Sequence, residues 1–311
     1  MRAFIALLLS LWFAPAWAQV PMTGAGKGTP GVAASYQGPG DVVSGATGWG
    51  SMARVYNLSL ASTSTSLADL VASTGGAAVC TLRGSSTGYV DLSNSYCAGT
   101  TPAAACAAAS GGSCKVTKIY DQIGATGGWT NATLASMPTV DFSGANGLPG
   151  IKCDSGNAQL NGVNTVTVSR PLTWVAYSNR TGNFTTSGGI IGTNTTENGL
   201  VSSTSTNQVI LRSGGGAATN ATASDSAYHS LIGLADSAVS ASVIAVDGVG
   251  GATGTASSDI SALTMRICRA GSGGEYTGTI MEVGLWPSGF NGTQRGDMNT
   301  NMHSSTYGYG P

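Results

Sequence analysis

Short runs that alternate between hydrophobic and polar residues recur along most of the chain, separated by turns rich in glycine, serine and asparagine. Such runs are typical of β-strands with one buried face. Helical spacing appears only over Ser66–Val71, through Leu67, Leu70 and Val71, and a terminal helix is predicted within 294–307. The pattern therefore predicts an all-β protein with little helix. The predicted strands lie at residues 77–83, 89–92, 115–120, 139–142, 150–153, 165–168, 172–177, 189–192, 208–212, 228–234, 241–248, 263–268 and 276–285.

The amino-acid composition indicates a packed domain and excludes some classes of binding partner. The chain contains 47 glycines among 311 residues, yet 41% of its residues are hydrophobic, which is enough to build a core. Charged residues make up only 9% of the chain and the net charge is −1. Nucleic acids and anionic membranes are bound through clusters of positive charge, so neither is predicted as a partner.

The N-terminus has the features of a cleavable signal peptide. Arg2 precedes an apolar run from Phe4 to Phe13, and Ala16-Trp17-Ala18 has the small-x-small pattern of a cleavage site. The run is shorter than the roughly 20 residues that span a bilayer, although a retained anchor is the alternative. We predict a signal peptide over 1–18, a flexible arm over 19–37 and a single domain over 38–311. The protein is then secreted or periplasmic, with no membrane contact after cleavage.

Six cysteines in an exported chain predict up to three disulfides, for which fifteen pairings are possible. No CxxC motif is present, and the only histidines are His229 and His303. The sequence therefore predicts neither a zinc site nor any other cofactor.

The stretch from Cys97 to Trp129 places a polar group at the end of a strand. Asp121 follows the predicted strand 115–120 and precedes a glycine-rich turn. A carboxylate there can accept hydrogen bonds from the N–H groups of the turn, and direct contact with a ligand or with calcium is the alternative. Trp129 lies in the same turn and is predicted to stack on a sugar ring, whereas Trp174 and Trp286 lie in apolar strands and are predicted core residues.

Three predicted strands follow one another in the second half of the chain. Tyr228–Ile232 is followed by Val243–Val246 with an Asp247-Gly248 turn, and then by the long strand Thr279–Trp286. This order resembles that of the closing strands of concanavalin A-like and laminin-G-like proteins. The resemblance implies a jelly-roll β-sandwich over residues 38–311. A fold of this kind does not by itself define a chemistry.

Two motifs mark the first half of the chain. Tyr96-Cys97-Ala98 is followed by Cys114 and by Tyr120-Asp121-Gln122, and Gly38-Pro39-Gly40-Asp41 lies near the start of the domain. These motifs are similar to those of the catalytic domain of α-L-arabinofuranosidase B, in glycoside hydrolase family 54, whose opening is Gly-Pro-Cys-Asp. By this analogy Cys97 pairs with Cys114. The family's adjacent pair of cysteines has no counterpart in this chain.

The resemblance implies a retaining glycosidase that removes terminal α-L-arabinofuranosyl residues from polysaccharide. Such an enzyme needs two carboxyl groups about 5–5.5 Å apart. Glu197-Asn198 matches the family's Glu-Asn, so Glu197 is the predicted nucleophile and Asn198 a predicted substrate contact, although Thr195 replaces the family's Asp. The turn before the last strand has Glu275 where the family has its acid/base Asp, which makes Glu275 a weak acid/base candidate.

These departures keep open a second hypothesis, a non-catalytic carbohydrate-binding or surface-adhesion module that has lost the acid/base carboxylate. In either case a glycan is the predicted partner.

Two further candidates for catalytic residues have less support in the sequence. A Ser-His-Asp triad would use His229 with Asp225 or Asp247, but no strand-to-helix turn presents a nucleophilic serine. Glu282, in the middle of an apolar strand, is interpreted as structural.

Overall fold

Most of the predicted strands are present, and their limits follow the alternation of buried and exposed residues. The computed structural model describes residues 36–93, 96–97, 99–154, 156–181, 188–194, 198–202, 208–214, 216–220, 226–238, 240–256, 258–271, 274–304 and 308–310, without the side chain of Glu275. The predicted signal peptide (1–18) and nearly all of the predicted arm (19–37) lie outside these ranges. The described residues belong to the compact unit Ser35–Pro311.

The described residues form nineteen strands and three α-helices, with short 3₁₀ turns at Leu58–Leu60, Leu134–Ser136 and Ala145–Gly147. The helices are α1 (Pro39–Val42), α2 (Pro102–Ala108) and α3 (Gly292–His303). The strands are β1 (Gly48–Ser51), β2 (Ser66–Ala72), β3 (Ala78–Arg83), β4 (Cys114–Ile119), β5 (Trp129–Thr130), β6 (Thr139–Asp141), β7 (Gly150–Cys153), β8 (Leu160–Val168), β9 (Leu172–Arg180), β10 (Gly188–Thr193), β11 (Gly199–Ser202), β12 (Val209–Ser213), β13 (Gly216–Asn220), β14 (Tyr228–Ala235), β15 (Val243–Val246), β16 (Val249–Gly250), β17 (Ile260–Ile267), β18 (Gly274–Glu275) and β19 (Gly278–Trp286).

The strands form two layers of one continuous, almost entirely antiparallel sheet. One layer has the order β16-β15-β14-β9-β19, followed by β1 and β7 beside β19 and then by β6-β4-β2-β3. The other has the order β8-β17-β10-β11-β12-β13, and β5 joins it to β4. A Cβ at Gly233 of β14 would lie 2.8 Å from Leu200 of β11, so the two layers pack directly on each other. This arrangement is the jelly-roll β-sandwich that the sequence predicts.

The central strands β9 and β19 are buried on both faces, which explains their nearly continuous hydrophobic sequences. Trp174 and Ala176 of β9 face the core between the layers, whereas Val175 and Tyr177 pack on the opposite side under α3 and the C-terminal residues. Trp174 and Trp286 are 1% and 0% exposed, so their prediction as core residues is confirmed. The predicted terminal helix is present as α3.

The predicted helix over Ser66–Val71 is wrong, because this segment is strand β2. It pairs with β3 on one side and β4 on the other, and its ladders contain register shifts. Each shift adds a residue to one strand and breaks the period of two. Leu67 and Leu70 therefore both reach the core although they are three residues apart, a spacing that resembles helical periodicity.

The predicted Cys97–Cys114 disulfide is also wrong. The structure contains Cys80–Cys97, Cys106–Cys114 and Cys153–Cys268, with Cα atoms 4.6, 5.1 and 5.7 Å apart. Helix α2, which the sequence analysis did not predict, lies beside β3 and brings Cys106 to the start of β4. Cys97 is then left to pair with β3. Three disulfides are typical of proteins from oxidising compartments.

Helix α3 is tied to the sheet through Asp247, which sits in the turn after β15. Its carboxylate contacts His229 Nδ1 at 2.5 Å and His303 Nε2 at 3.0 Å, and it accepts the N–H of Ser230 at 2.9 Å. Burial alone would raise the pKa of Asp247, but the hydrogen bonds from His229, His303 and Ser230 outweigh it and hold the pKa below its usual range.

We predict that replacing Asp247 with Asn lowers the free energy of unfolding at pH 7 by about 1–2 kcal/mol, because solvent screens this half-exposed site. Asp247 has a φ of 49°, which Asn tolerates, so the substitution isolates the loss of charge. Since the folded-state pKa is depressed, the contribution is complete above the unfolded pKa of about 3.9 and is lost as the pH falls through the folded value.

Urea unfolding measured between pH 3 and pH 7 tests this prediction. The difference between wild type and Asp247→Asn should shrink as the pH falls below about 4. Asp154→Asn is the matched control, because Asp154 forms an exposed ion pair with Lys152 at 3.4 Å and should change stability by no more than about 1 kcal/mol. A difference for Asp247→Asn that stays constant with pH contradicts the assignment.

No helix among the described residues is long and apolar enough to span a membrane.

Candidate functional site

Two segments that carry the predicted chemistry meet at the end of strand β10. The N–H of Thr193 donates to the carbonyl of Asn198 at 2.9 Å, and the carbonyl of Thr193 accepts the N–H of Gly271 at 2.7 Å. We call these three residues the Thr193 junction. Asn198, which follows the predicted nucleophile, and Gly271, in the turn 270–275 that carries the predicted acid/base residue, are thus both bonded to the backbone of Thr193.

The turn from Cys268 to Tyr276 is held at several points. Cys268 is joined to Cys153 of β7 by a disulfide, and its N–H donates to the carbonyl of Ile190 at 3.0 Å. The N–H of Tyr276 donates back to the carbonyl of Cys268 at 3.0 Å, which closes the turn. Arg266 Nη1 donates to the carbonyl of Gly271 at 3.1 Å. The described ends of this turn are therefore fixed relative to β10.

Glycines in β10 allow the turn to lie directly against the strand. A Cβ at Gly189 would lie 2.0 Å from the backbone nitrogen of Ala270, and one at Gly192 would lie 2.6 Å from the Ala270 Cβ. Neither distance is possible for a side-chain atom, so both positions require glycine for this close approach.

Arg266 places a positive charge beside the junction, since it contacts the carbonyl of Gly271. The charged residues of 188–194, 198–202 and 264–271 are Arg266 and Arg269 alone. Burial lowers the pKa of Arg266, and the neighbouring charge of Arg269 lowers it further. Arg266 is held in place by Asn161, whose Oδ1 accepts from Arg266 Nε at 2.9 Å. A cation at this place would stabilise negative charge on a ligand or on a nearby carboxylate.

The predicted nucleophile Glu197 lies outside the described residues, but its neighbour Asn198 is well defined. Asn198 is 3% exposed, and its Oδ1 accepts the N–H of Gly214 at 2.8 Å. This bond ties the β10–β11 connection to the turn after β12. The predicted contact between Asn198 and a substrate stays a prediction, and the bond to Gly214 gives the residue a structural role.

The backbone of Glu275 lies at the opposite end of β10 from the junction. Gly274 and Glu275 of β18 pair in parallel with Gly188 and Gly189. Gly189 and Thr193 are four residues apart, which is at most about 13 Å, because a register shift between Gly189 and Ile191 shortens the strand. The chain therefore carries Glu275 away from the place where Asn198 and Gly271 meet.

Trp129 does not have its predicted role. The side chain is 0% exposed, so it cannot stack on a sugar ring. Its strand β5 pairs with both β4 and β8, and a Cβ at Gly50 would lie 2.7 Å from the Trp129 ring. The indole thus fills space that a glycine leaves at the centre of the core.

Asp121 has the architectural contacts that the sequence suggested. Its Oδ1 accepts the N–H groups of Trp49 and Ile123 at 3.2 and 3.0 Å. Its Oδ2 accepts the N–H and the hydroxyl of Thr126, both at 2.7 Å. Both oxygens are therefore engaged in fixing the turn between β4 and β5 and its contact with β1.

Glu282 is a buried structural residue, as the sequence suggested, but its partners were not predicted. Arg54 donates through Nε and Nη2 to the two carboxylate oxygens, both at 2.7 Å, and both side chains are fully buried. Tyr309 donates its hydroxyl to Glu282 at 2.7 Å and stacks on Tyr177 with ring centroids 4.7 Å apart. The hydropathy pattern gives no signal that would place Arg54 in the core.

Among the described residues, no three His, Cys, Asp or Glu side chains converge in a way that would hold a metal ion. The Ser-His-Asp alternative required a contact between His229 and Asp247, and this contact is present. The third side chain that joins them is His303 and not a serine. The hydroxyl of the neighbouring Ser230 donates to Asn299.

Sequence reasoning also missed Gly189, Gly192 and Arg266. The signal for the glycines was present, because glycine inside an apolar strand marks a close approach of another backbone. Gly188-Gly189-Ile190-Ile191-Gly192 contains three of them in five residues. No comparable feature of the sequence indicated that Arg266 lies beside the junction.

Neither a protein-family model nor the sequence of a curated protein matches this chain. Among solved structures, a GH54 α-L-arabinofuranosidase is similar with a TM-score of 0.54 and 14% identity, over 85% of this chain and 64% of that chain. Weaker likenesses, with TM-scores of 0.41 and 0.43, include a sialidase of Trypanosoma rangeli (13% identity; 59% of this chain and 31% of that one) and the binding domain of botulinum neurotoxin serotype G (14% identity; 59% and 50%). The chain thus has a jelly-roll β-sandwich fold similar to that of a GH54 arabinofuranosidase, and it spans about two thirds of that enzyme's length.

Proposed function

We propose that the protein is an exported glycan-recognition module that binds α-L-arabinofuranosyl ends of polysaccharide at the Thr193 junction. The observation that supports this proposal is the Thr193 junction. Asn198 and Gly271 are both hydrogen-bonded to the backbone of Thr193. The similarity in fold to a structure described as a GH54 arabinofuranosidase supports the choice of sugar, and the predicted signal peptide and three disulfides support export.

The position of Glu275 favours binding over hydrolysis. Retaining hydrolysis needs two carboxyl groups about 5–5.5 Å apart. Glu275 pairs with Gly189, whereas Asn198 is bonded to Thr193 at the other end of β10. A module that retains the sugar-binding surface without the second carboxylate is consistent with this spacing.

Arabinofuranoside hydrolysis with Glu197 as nucleophile and Glu275 as acid/base is the second candidate. The Glu-Asn sequence favours it, and so does the contact of Gly271 with the junction, because the acid/base turn of the resembled family occupies this part of the chain. A nearby arginine such as Arg266 would also keep a nucleophilic carboxylate ionised.

The two candidates are separated by measuring binding and turnover on the same preparations. We expect wild type to be retarded in gels containing arabinoxylan, yet to release no nitrophenol from 4-nitrophenyl α-L-arabinofuranoside at high protein concentration. Glu197→Gln should bind within about threefold of wild type, since a glutamine keeps the shape of the side chain and one acceptor oxygen.

Turnover by wild type that falls at least about a hundredfold in Glu197→Gln would replace the binding proposal with the hydrolytic one. Glu275→Gln is the matched control, because the hydrolytic candidate requires it to lose turnover as well. Absence of retardation on every arabinofuranosyl polysaccharide would contradict both candidates.

A further inference from the structure

A polar cleft of about 290 Å³ lies between helices α1 and α3, where no function has been assigned. It is lined by Gln37, Asp41, Val42, Asp297, Thr300 and Asn301, so five of its six residues carry polar side chains. The cleft brings together two parts of the chain more than 250 residues apart in sequence.

Asn301 is the first sign that the cleft is built for a ligand. The residue is 1% exposed, and its Nδ2 donates to the carbonyl of Gln37 at 2.8 Å. This bond fixes the orientation of the amide and leaves Oδ1 as its other polar atom. Oδ1 is buried and has no hydrogen-bond partner among the described residues. A buried amide oxygen without a partner is costly, so an electropositive partner is expected beside it.

The two carboxylates of the cleft are the second sign. Asp41 Oδ2 accepts the N–H groups of Gly38 and Leu58, both at 2.8 Å, so this side chain is held in place. Asp297 has no hydrogen bond or ion pair with the side chains that the structure describes, and Asp41 has no described basic partner. The cleft thus combines two carboxylates that have no described basic partner with an unsatisfied amide oxygen.

The ligand atoms that line the cleft indicate which kind of cation it would bind. Every strong ligand atom that the cleft offers is an oxygen, from carboxylates, amides or a hydroxyl, and it offers no thiol or imidazole. Calcium takes six to eight such oxygens in flexible geometry and often retains water, whereas zinc and copper favour nitrogen or sulfur. With only two carboxylates and room for several waters, the cleft fits a partly hydrated cation of modest affinity.

We propose that this cleft binds a Ca²⁺ ion between α1 and α3. The ion neutralises Asp41 and Asp297 and links residues 37–42 to the terminal helix. This site is separate from the Thr193 junction, so the Ca²⁺ proposal and the glycan-binding proposal can be tested independently of each other.

Titration of the full chain after EDTA treatment and removal of the chelator tests the site. We expect about 2 mM CaCl₂ to raise the Tm by about 2–4 °C, with a dissociation constant of about 10⁻⁴–10⁻³ M by calorimetry. Asp297→Asn should weaken Ca²⁺ binding at least about tenfold while leaving the Tm in EDTA unchanged, because Asp297 is exposed. Asp154→Asn, which changes an exposed aspartate elsewhere, should bind Ca²⁺ as wild type does.

Two results would overturn the proposal. One is a wild-type protein whose Tm and titration heat do not respond to Ca²⁺. The other is an Asp297→Asn variant that binds Ca²⁺ as tightly as wild type. An equal shift in Tm with MgCl₂ at the same concentration would also count against it, since it would indicate general screening of charge.

Discussion

Replacing Glu282 with Gln should lower the free energy of unfolding by about 3–5 kcal/mol, the range measured when one partner of a buried ion pair is removed. The substitution keeps the shape of the side chain but leaves the guanidinium of Arg54 without a counter-charge at 0% exposure. Equilibrium unfolding in urea, followed by tryptophan fluorescence, measures the change.

Two further variants separate the ion pair from its surroundings. Tyr309→Phe removes only the hydroxyl that donates to Glu282, and should cost less than Glu282→Gln, about 1.5–3 kcal/mol. The double variant Arg54→Met, Glu282→Leu removes both charges, and should lose less stability than Glu282→Gln alone. A Glu282→Gln protein within 1 kcal/mol of wild type would contradict the description of this pair as buried and mutually dependent.

Removing the Cys153–Cys268 disulfide should cost about 5 kcal/mol, and is the second large effect. The bond closes a loop of 115 residues, and the loss of chain entropy in the unfolded state grows with the logarithm of loop length. It also anchors the turn that contacts Thr193, so we expect Cys153→Ala, Cys268→Ala to weaken arabinoxylan binding as well. Urea unfolding and gel retardation measure the two effects.

Cys106→Ala, Cys114→Ala is the matched control, because that disulfide spans only 8 residues and lies elsewhere in the sheet. The same entropy argument gives about 2.5 kcal/mol for it. Glycan binding at a temperature where this variant is folded should be unaffected. If the two double variants lose equal stability and bind equally well, the role given to Cys268 is wrong.

The fold could be predicted from the sequence because short apolar or alternating runs between turn residues mark strands. The long strands β9 and β19 were found from their apolar runs, and the approximate place of α3 was found as well. Alternation fails where the ladder is irregular, and β2 was taken for a helix because register shifts alter the spacing of Leu67 and Leu70. Disulfide pairing depends on which strands adjoin, and the unpredicted helix α2 changed the partner of Cys114.

The candidate site was harder to predict from the sequence than the fold, because its residues come together only through tertiary contacts. The turn-holding role of Asp121 was predicted, since a carboxylate that opens a turn can accept hydrogen bonds from the N–H groups of that turn. Trp129 sits in a similar glycine-rich context but is buried, because Gly50 on another strand leaves room for its ring. Nothing local to Arg54 or Glu282 reveals that they pair across 228 residues.

The most direct test of the central claim is hydrogen–deuterium exchange of the whole protein with and without an arabinofuranosyl-substituted xylo-oligosaccharide. We predict that the ligand slows amide exchange in segments 188–202 and 264–276, which form and surround the Thr193 junction, and leaves 37–42 and 297–301 unchanged. Exchange that does not change at saturating ligand, or protection confined to segments away from β10 and the 268–276 turn, would contradict the claim that this junction recognises the glycan.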